Sequence, residues 1–223
     1  MKYNGMFEII GPVMVGPSSS HTAGALRIGQ IARQLLGIEP EYVTFQLFGS
    51  FAETYQGHGT DLALIAGVLG LTTDDDDVRR ADELAVERGL EYQFTKGSGG
   101  QYHPNTVAIN ISGGDRAVRL IASSLGGGKA EVQELEGLPL RFSAEIPTLI
   151  LYHQDRNGFL AKVSQLLDNA GYNIARLALE RWRRGGDAIT VCEVDGPLKS
   201  DICEVMRSSI PGLKELRVLD AGF

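Results

Sequence analysis

After Glu145 the order of apolar and turn residues is complete enough to constrain an architecture by itself. Residues 146–152 read as a strand and 158–169 as a helix, followed by strands over 172–182 and 187–194 joined by the Arg183-Arg184-Gly185-Gly186 turn. Residues 198–208 then read as a second helix and 213–219 as a last strand. The order is βαββαβ, a ferredoxin-like unit. Leu160, Val163, Leu166 and Leu167 share one face of its first helix, as core residues do. This unit uses residues 146–223, so residues 1–140 require a domain of their own, and residues 137–145, with Pro139, read as the linker.

The first domain mixes helices and strands, which makes the whole chain α/β (α+β). Ala23, Ala25, Leu26, Ile28, Ile31, Ala32 and Leu35 recur at helical spacing, so a helix runs from about Ser20 to Leu36, with Ser19 or Ser20 able to cap it. Residues 42–48 alternate and are rich in β-formers, a strand. Gly49-Ser50 then starts a short helix through Phe51, Ala52 and Tyr55, interrupted at Gly57-His58-Gly59, and Thr60 or Asp61 can cap an apolar helix over 62–69. Four aspartates, 74–77, precede a charged amphipathic helix over 78–88 that Gly89 ends; acidic residues at a helix start suit the dipole better than they suggest a metal. Residues 91–94 read as a strand, 96–101 as a mobile loop and 107–111 as a strand. Residues 117–124 and 129–135 form a hairpin-like pair about Gly126-Gly127-Gly128, which is turn chemistry and not a phosphate loop.

Candidate chemistry gathers at three loops. In Gly16-Pro17-Ser18-Ser19-Ser20-His21-Thr22-Ala23-Gly24, helix-start amides with the Ser18, Ser19, Ser20 and Thr22 hydroxyls make an anion site suited to a carboxylate or phosphate, beside His21, which exchanges protons near neutral pH. A serine cap beside an incidental surface histidine is the plainer alternative. His58 repeats this setting between two glycines that allow close approach of a ligand, and Asp61 is near enough in sequence to orient its imidazole. Tyr102-His103-Pro104-Asn105-Thr106 delivers a third imidazole, an amide and a hydroxyl to a strand entrance. A serine nucleophile working with the adjacent His21 is disfavoured, because neighbours on a helix do not face each other and no Gly-x-Ser-x-Gly elbow is present. A zinc site from His21, His58 and His103 lacks histidine pairs at ligand spacing.

The net charge of −7 over 223 residues argues against nucleic acid or an anionic membrane as partner. No apolar run has transmembrane length and residues 1–14 lack a signal-peptide layout, which reads as cytoplasmic. Cys192 and Cys203 are not spaced as a metal or redox pair, so the chain alone cannot hold an iron–sulfur cluster, and buried thiols are expected. His153 reads as a strand-end surface residue or a contact to an effector or neighbouring subunit, and Arg181, Arg183 and Arg184 as a solvated hairpin tip.

Three blocks in order resemble the β chain of bacterial iron–sulfur-dependent L-serine dehydratase, or L-serine deaminase. They are Gly11-Pro12-Val13-Met14-Val15-Gly16-Pro17-Ser18-Ser19-Ser20-His21-Thr22-Ala23-Gly24, then Gly49-Ser50-Phe51-Ala52-Glu53-Thr54 with Gly57-His58-Gly59-Thr60-Asp61, then His103-Pro104-Asn105-Thr106. The C-terminal unit is similar to an ACT domain, a small-molecule-sensing module, through His153-Gln154-Asp155-Arg156-Asn157-Gly158-Phe159-Leu160 and Ala170-Gly171-Tyr172-Asn173-Ile174. Many such domains have proline where Asn157 stands, while Gly158 is retained.

The resemblance implies a partner α chain whose cysteines hold a 4Fe–4S cluster, with no cofactor bound by this chain alone. It implies that L-serine loses its α-proton to a base and its β-hydroxyl as water, giving an enamine that becomes pyruvate and ammonia, and that this chain by itself is inactive. The serines, Thr22 and the helix-start amides would cradle the carboxylate, His103 and Asn105 with Thr106 would orient the substrate, and His21 or His58 would be the base. The flanking glycines and Asp61 favour His58. Asp155, Asn157 and Gly158 would form the ACT loop, and the ACT domains would pair β chain with β chain. The alternative is a non-catalytic regulatory module that binds serine or a small carboxylate, as in the ligand-binding domain attached to some 3-phosphoglycerate dehydrogenases.

Overall fold

A computed structural model describes residues 13–99 and 102–220. The readings for residues 1–12, and for Gly100 and Gln101 of the 96–101 loop, lie outside the described residues. The chain divides into two compact units, Met1–Gly137 and Leu138–Phe223.

In the first unit a π-helical turn, Ser19–Ala23, runs into helix α1, Gly24–Leu36. Strand β1 is Tyr42–Phe48, α2 Ser50–Thr54 and α3 Thr60–Leu69. A 3-10 turn, Asp76–Arg80, leads into α4, Ala81–Glu87. Strands β2 (Glu91–Lys96), β3 (Thr106–Gly113), β4 (Arg116–Gly126) and β5 (Lys129–Leu135) complete a sheet of order β2-β1-β3-β4-β5. Among the described strands only the β1–β2 pair is parallel, because the chain between them makes a crossover through α2, α3 and α4. Val43, Phe45 and Leu47 alternate inward along β1. Helix α1 packs over β4 and β5 and along α3, so Leu26, Ile28, Ile31, Leu35 and Leu36 lose all contact with water.

The helix starts differ from the sequence expectation. Ser18, not Ser19 or Ser20, caps the first helix: its backbone is extended and its Oγ accepts from the His21 amide at 3.2 Å. Gly59, at φ 65°, takes the cap position of α3 in place of Thr60 or Asp61, and Thr60 is buried. The charged segment splits into a 3-10 turn and a short helix, with Asp75 accepting from the Asp77 amide at 3.0 Å.

The second unit has β6 (Thr148–Gln154), α5 (Phe159–Asn169), β7 (Ile174–Arg181), β8 (Asp187–Val194), α6 (Ser200–Ser209) and β9 (Leu213–Leu219), in an antiparallel sheet of order β7-β8-β6-β9. This is the βαββαβ arrangement. Leu149, Phe159, Val163, Leu167, Ile202 and Met206 build its core together with both cysteines. Burial and the neighbouring Glu193 charge push the Cys192 thiol up to about 12, and burial raises Cys203 as well. The segment read as a linker is packed: Leu138, Leu140, Phe142 and Ala144 are buried, and Ser143 donates through its amide and hydroxyl to Glu193 at 3.2 and 3.3 Å.

His153 is neither a surface residue nor open to an effector. It is 1% exposed, stacks on Phe159 with ring centroids 3.5 Å apart, donates from Nδ1 to the Gln154 carbonyl at 3.0 Å and accepts at Nε2 from the Thr190 hydroxyl at 2.9 Å. That arrangement holds a neutral ring, and burial lowers its pKa. Below about pH 6.5 the unfolded chain takes up a proton that the native chain refuses, so this site costs the fold up to about 1.4 kcal/mol per pH unit on acidification. Stability from His153 is therefore present above that pH and lost as pH falls toward the native pKa. A proton-NMR titration in which the His153 ring ionises at or above the free-histidine value would contradict it.

Candidate active site

Two of the three serines in the turn, Ser18 and Ser20, spend their hydroxyls on each other and on His21. Ser20 Oγ lies 3.1 Å from His21 Nδ1 and 3.3 Å from Ser18 Oγ, while Ser18 also accepts the His21 amide. On the other side of the ring, Nε2 lies 3.2 Å from Ser50 Oγ, at the start of α2. Both ring nitrogens thus face hydroxyls that can donate or accept, so either tautomer is satisfied. Phe51 meets the imidazole edge-on at 5.4 Å and 70°. Burial first, and the His58 charge second, hold the His21 pKa below its ordinary value, which keeps the ring neutral at neutral pH.

His58 is brought to His21 by the backbone. The Thr22 hydroxyl donates to the His58 carbonyl at 3.3 Å, and the His58 amide donates to Thr54 at 3.1 Å. The two imidazoles stand 4.9 Å apart, centroid to centroid, at 48°. The His58 ring is exposed and makes no hydrogen bond with any described residue. It lines a cavity of about 560 Å³ with Gly16, Pro17, Thr22, Gly59, Leu62 and Arg79.

Asp61 is turned away from the role expected for it. Its carboxylate accepts from the Leu62 amide at 2.9 Å, at the start of its own helix, and does not hydrogen-bond to His58. Burial pushes this carboxyl up, against the backbone hydrogen bonds that pull it down.

The third loop docks on the second. The Phe51 amide donates to the Pro104 carbonyl at 3.3 Å, and a Cβ on Gly49 would lie 2.6 Å from that same oxygen, so only glycine admits the loop. His103 Nδ1 accepts from the Asn105 amide at 3.2 Å, which leaves Nε2 carrying the proton. The His103 side chain is exposed and Asn105 half-buried. Thr106 is buried, donates to the His103 carbonyl at 2.7 Å and pairs with Ser123, so it shapes the loop and does not face a ligand. Thr22, 4% exposed, commits its hydroxyl to the His58 carbonyl and also lines the His58 cavity. Of the serines, Ser19 alone has no hydroxyl hydrogen bond to a described residue.

Ser50 and Arg79 do not stand out from sequence. Ser50 belongs to the second of the three family-like blocks and directly follows a strand end, which is the signal that points to it; Arg79 looks like any residue of a charged helix face. Among the described residues no three His, Cys, Asp or Glu side chains come together as metal ligands, and both cysteines belong to the core of the other unit. The chain's own residues therefore do not fit a cluster. What converges is two imidazoles and hydroxyls, with Arg79 on the lining of the cavity that His58 also lines, a set for moving a proton and holding an anion. No helix of the described residues is long and apolar enough to cross a membrane.

Residues 5–134 match the family described as Serine dehydratase beta chain. The chain is 42% identical over 213 residues to "Probable L-serine dehydratase, beta chain" of Bacillus subtilis, covering 96% of each. It is 40% identical over 211 residues to "L-serine dehydratase, beta chain" of Peptoniphilus asaccharolyticus, covering 93% of each. "D-3-phosphoglycerate dehydrogenase" of Bacillus subtilis is 23% identical over 195 residues, which are 87% of this chain and 37% of that one. On the match and the two full-length similarities, this chain belongs to the serine dehydratase β-chain family.

Proposed function

We propose that the chain works with an α chain carrying an iron–sulfur cluster to convert L-serine into pyruvate and ammonia. The observation that carries this reading is the pairing of His58, an imidazole without a hydrogen bond to any described residue, with His21, one held neutral between serines, beside a cavity large enough for the substrate. His58 takes the α-proton; the electron pair left on the α-carbon forms the double bond as the β-hydroxyl leaves, and the abstracted proton is returned to that hydroxyl so that it departs as water. The enamine product tautomerises and is hydrolysed to pyruvate and ammonia. The partner's cluster would supply Lewis-acid activation of the departing hydroxyl. His21, with Ser20 and Ser50 on its nitrogens, offers a relay for returning the proton to the departing hydroxyl. His103 Nε2–H and the Asn105 amide are donors for orienting the substrate.

The βαββαβ unit is read as an ACT-type sensor through which β chains pair. In its loop Asp155 holds the Gly185 amide at 2.8 Å and Arg181 at 2.6 Å, and both keep its carboxyl below the usual range. That commitment leaves Asn157 and the start of α5 after Gly158 as the groups that can meet an effector.

Anaerobic co-expression with a cysteine-bearing α chain is expected to yield L-serine-dependent pyruvate, measured in a coupled lactate dehydrogenase assay, with none from this chain alone. The likeness to D-3-phosphoglycerate dehydrogenase favours a second reading, a ligand-binding module without chemistry. Turnover that survives loss of both His21 and His58 would select it.

A further inference from the structure

The hydroxyls that the sequence offers as a carboxylate cradle are largely spent: Ser18 and Ser20 on each other and on His21, Thr22 on the His58 carbonyl. An acid in the cavity beside His58 needs another partner, and Arg79 lines that same cavity. It belongs to the 3-10 turn Asp76–Arg80, where Arg80 is already paired with Asp77 at 2.8 Å. Arg33 is likewise bound to Glu39, and Arg88 donates to the Leu69 carbonyl at 3.0 Å. Arg79 has no hydrogen bond or ion pair with any described residue, although the chain carries a net charge of −7 and the four aspartates 74–77 lead into and begin this turn. Three of those carboxylates are committed elsewhere, Asp74 to Thr72, Asp75 to the Asp77 amide and Asp77 to Arg80. An arginine without a partner among the described residues, on the lining of the cavity that His58 also lines, offers the fork that a carboxylate fits.

We propose that Arg79 binds the α-carboxylate of the ligand in the His58 cavity. The identity of that ligand as an amino acid rests on the dehydratase reading; the carboxylate anchor itself does not. Holding one end of the substrate at Arg79 keeps its α-carbon within the cavity that His58 also lines. Because Arg79 is solvent-exposed, its contribution to binding is about tenfold, the lower end for a charged hydrogen bond.

The test has two arms. In the full chain, the Arg79 Nε–Hε NMR resonance, assigned from its loss in Arg79→Lys, is expected to shift saturably with L-serine and not with L-serinamide, which lacks the negative charge. No shift with L-serine, or equal shifts with both, would overturn the proposal. In the assembled two-chain enzyme, Arg79→Gln is expected to raise KM for L-serine about tenfold with kcat changed by less than about threefold, and Arg79→Lys to recover most of the loss. An unchanged KM would also overturn it. If the wild-type pair fails to turn over L-serine while the charge-dependent shift persists, the dehydratase reading falls and the anchor stands. Turnover without that shift removes the anchor and leaves the dehydratase reading in place.

Discussion

Replacing His58 by alanine in the assembled two-chain enzyme is expected to lower kcat for L-serine by about 10²–10⁴-fold, the usual worth of a general base, with KM changed far less. The magnitude follows from the geometry. His58 lines the cavity, is exposed and has no side-chain hydrogen bond to any described residue, so its nitrogens are available to a substrate proton. His21 is fixed at both nitrogens by Ser20 and Ser50 and must break one of those contacts to act on a substrate directly. His21→Ala is accordingly expected to cost less, with steady-state kinetics on the two variants measured side by side. A larger loss for His21→Ala would exchange the two roles. The ring centroids stand 4.9 Å apart, so removing either imidazole changes the surroundings of the other.

Much of this architecture is legible in the amino-acid order. The βαββαβ unit follows from strand and helix periods alone, because each element is bounded by a glycine turn or a polar break. Strand β1 is legible to the residue, since Val43, Phe45 and Leu47 alternate with polar or exposed positions and the following Gly49 ends the run. Helix caps are not legible. A serine run offers several oxygens of similar chemistry, and only the extended backbone of Ser18 decides which one turns back on the helix. The histidines can be named from their local settings, whereas their convergence depends on long-range contacts, Thr22 to His58 and Pro104 to Gly49, that no local pattern encodes. His153 misleads for the same reason. Its position near a strand end suggests exposure, and the Phe159 ring that covers it comes from the next helix.

The helices attached to the two histidine segments meet at a glycine crossing, and a single methyl group there is expected to be costly. Helices α1 and α3, which continue from the His21 turn and follow His58, meet at Gly29 and Gly67. A Cβ on Gly29 would lie 2.5 Å from the Leu64 carbonyl oxygen, and one on Gly67 would run into the Leu26 carbonyl oxygen and come within 2.9 Å of Gly29 Cα. These are backbone atoms, so no rotamer change relieves the clash; the helices must separate. Gly67→Ala gains about 1 kcal/mol of helix propensity against an overpacking cost at or beyond the upper end of about 1–3 kcal/mol. The overpacking wins, because the obstructing atoms are main chain and α3 is buried along almost its whole length. A net loss of about 2 kcal/mol corresponds to a fall in Tm of about 4–8 °C by calorimetry or circular dichroism. Gly57→Ala is the control: the nearest atom to its Cβ is the Thr54 carbonyl oxygen at 3.7 Å, an ordinary contact, and Tm should stay near that of the parent chain. Equal Tm values for Gly67→Ala and the parent would refute the crossing as a stability determinant. Turnover should fall with stability in Gly67→Ala even well below its Tm, because spreading α1 from α3 widens the gap between the two imidazoles and loosens the Thr22 hydrogen bond that holds the His58 backbone.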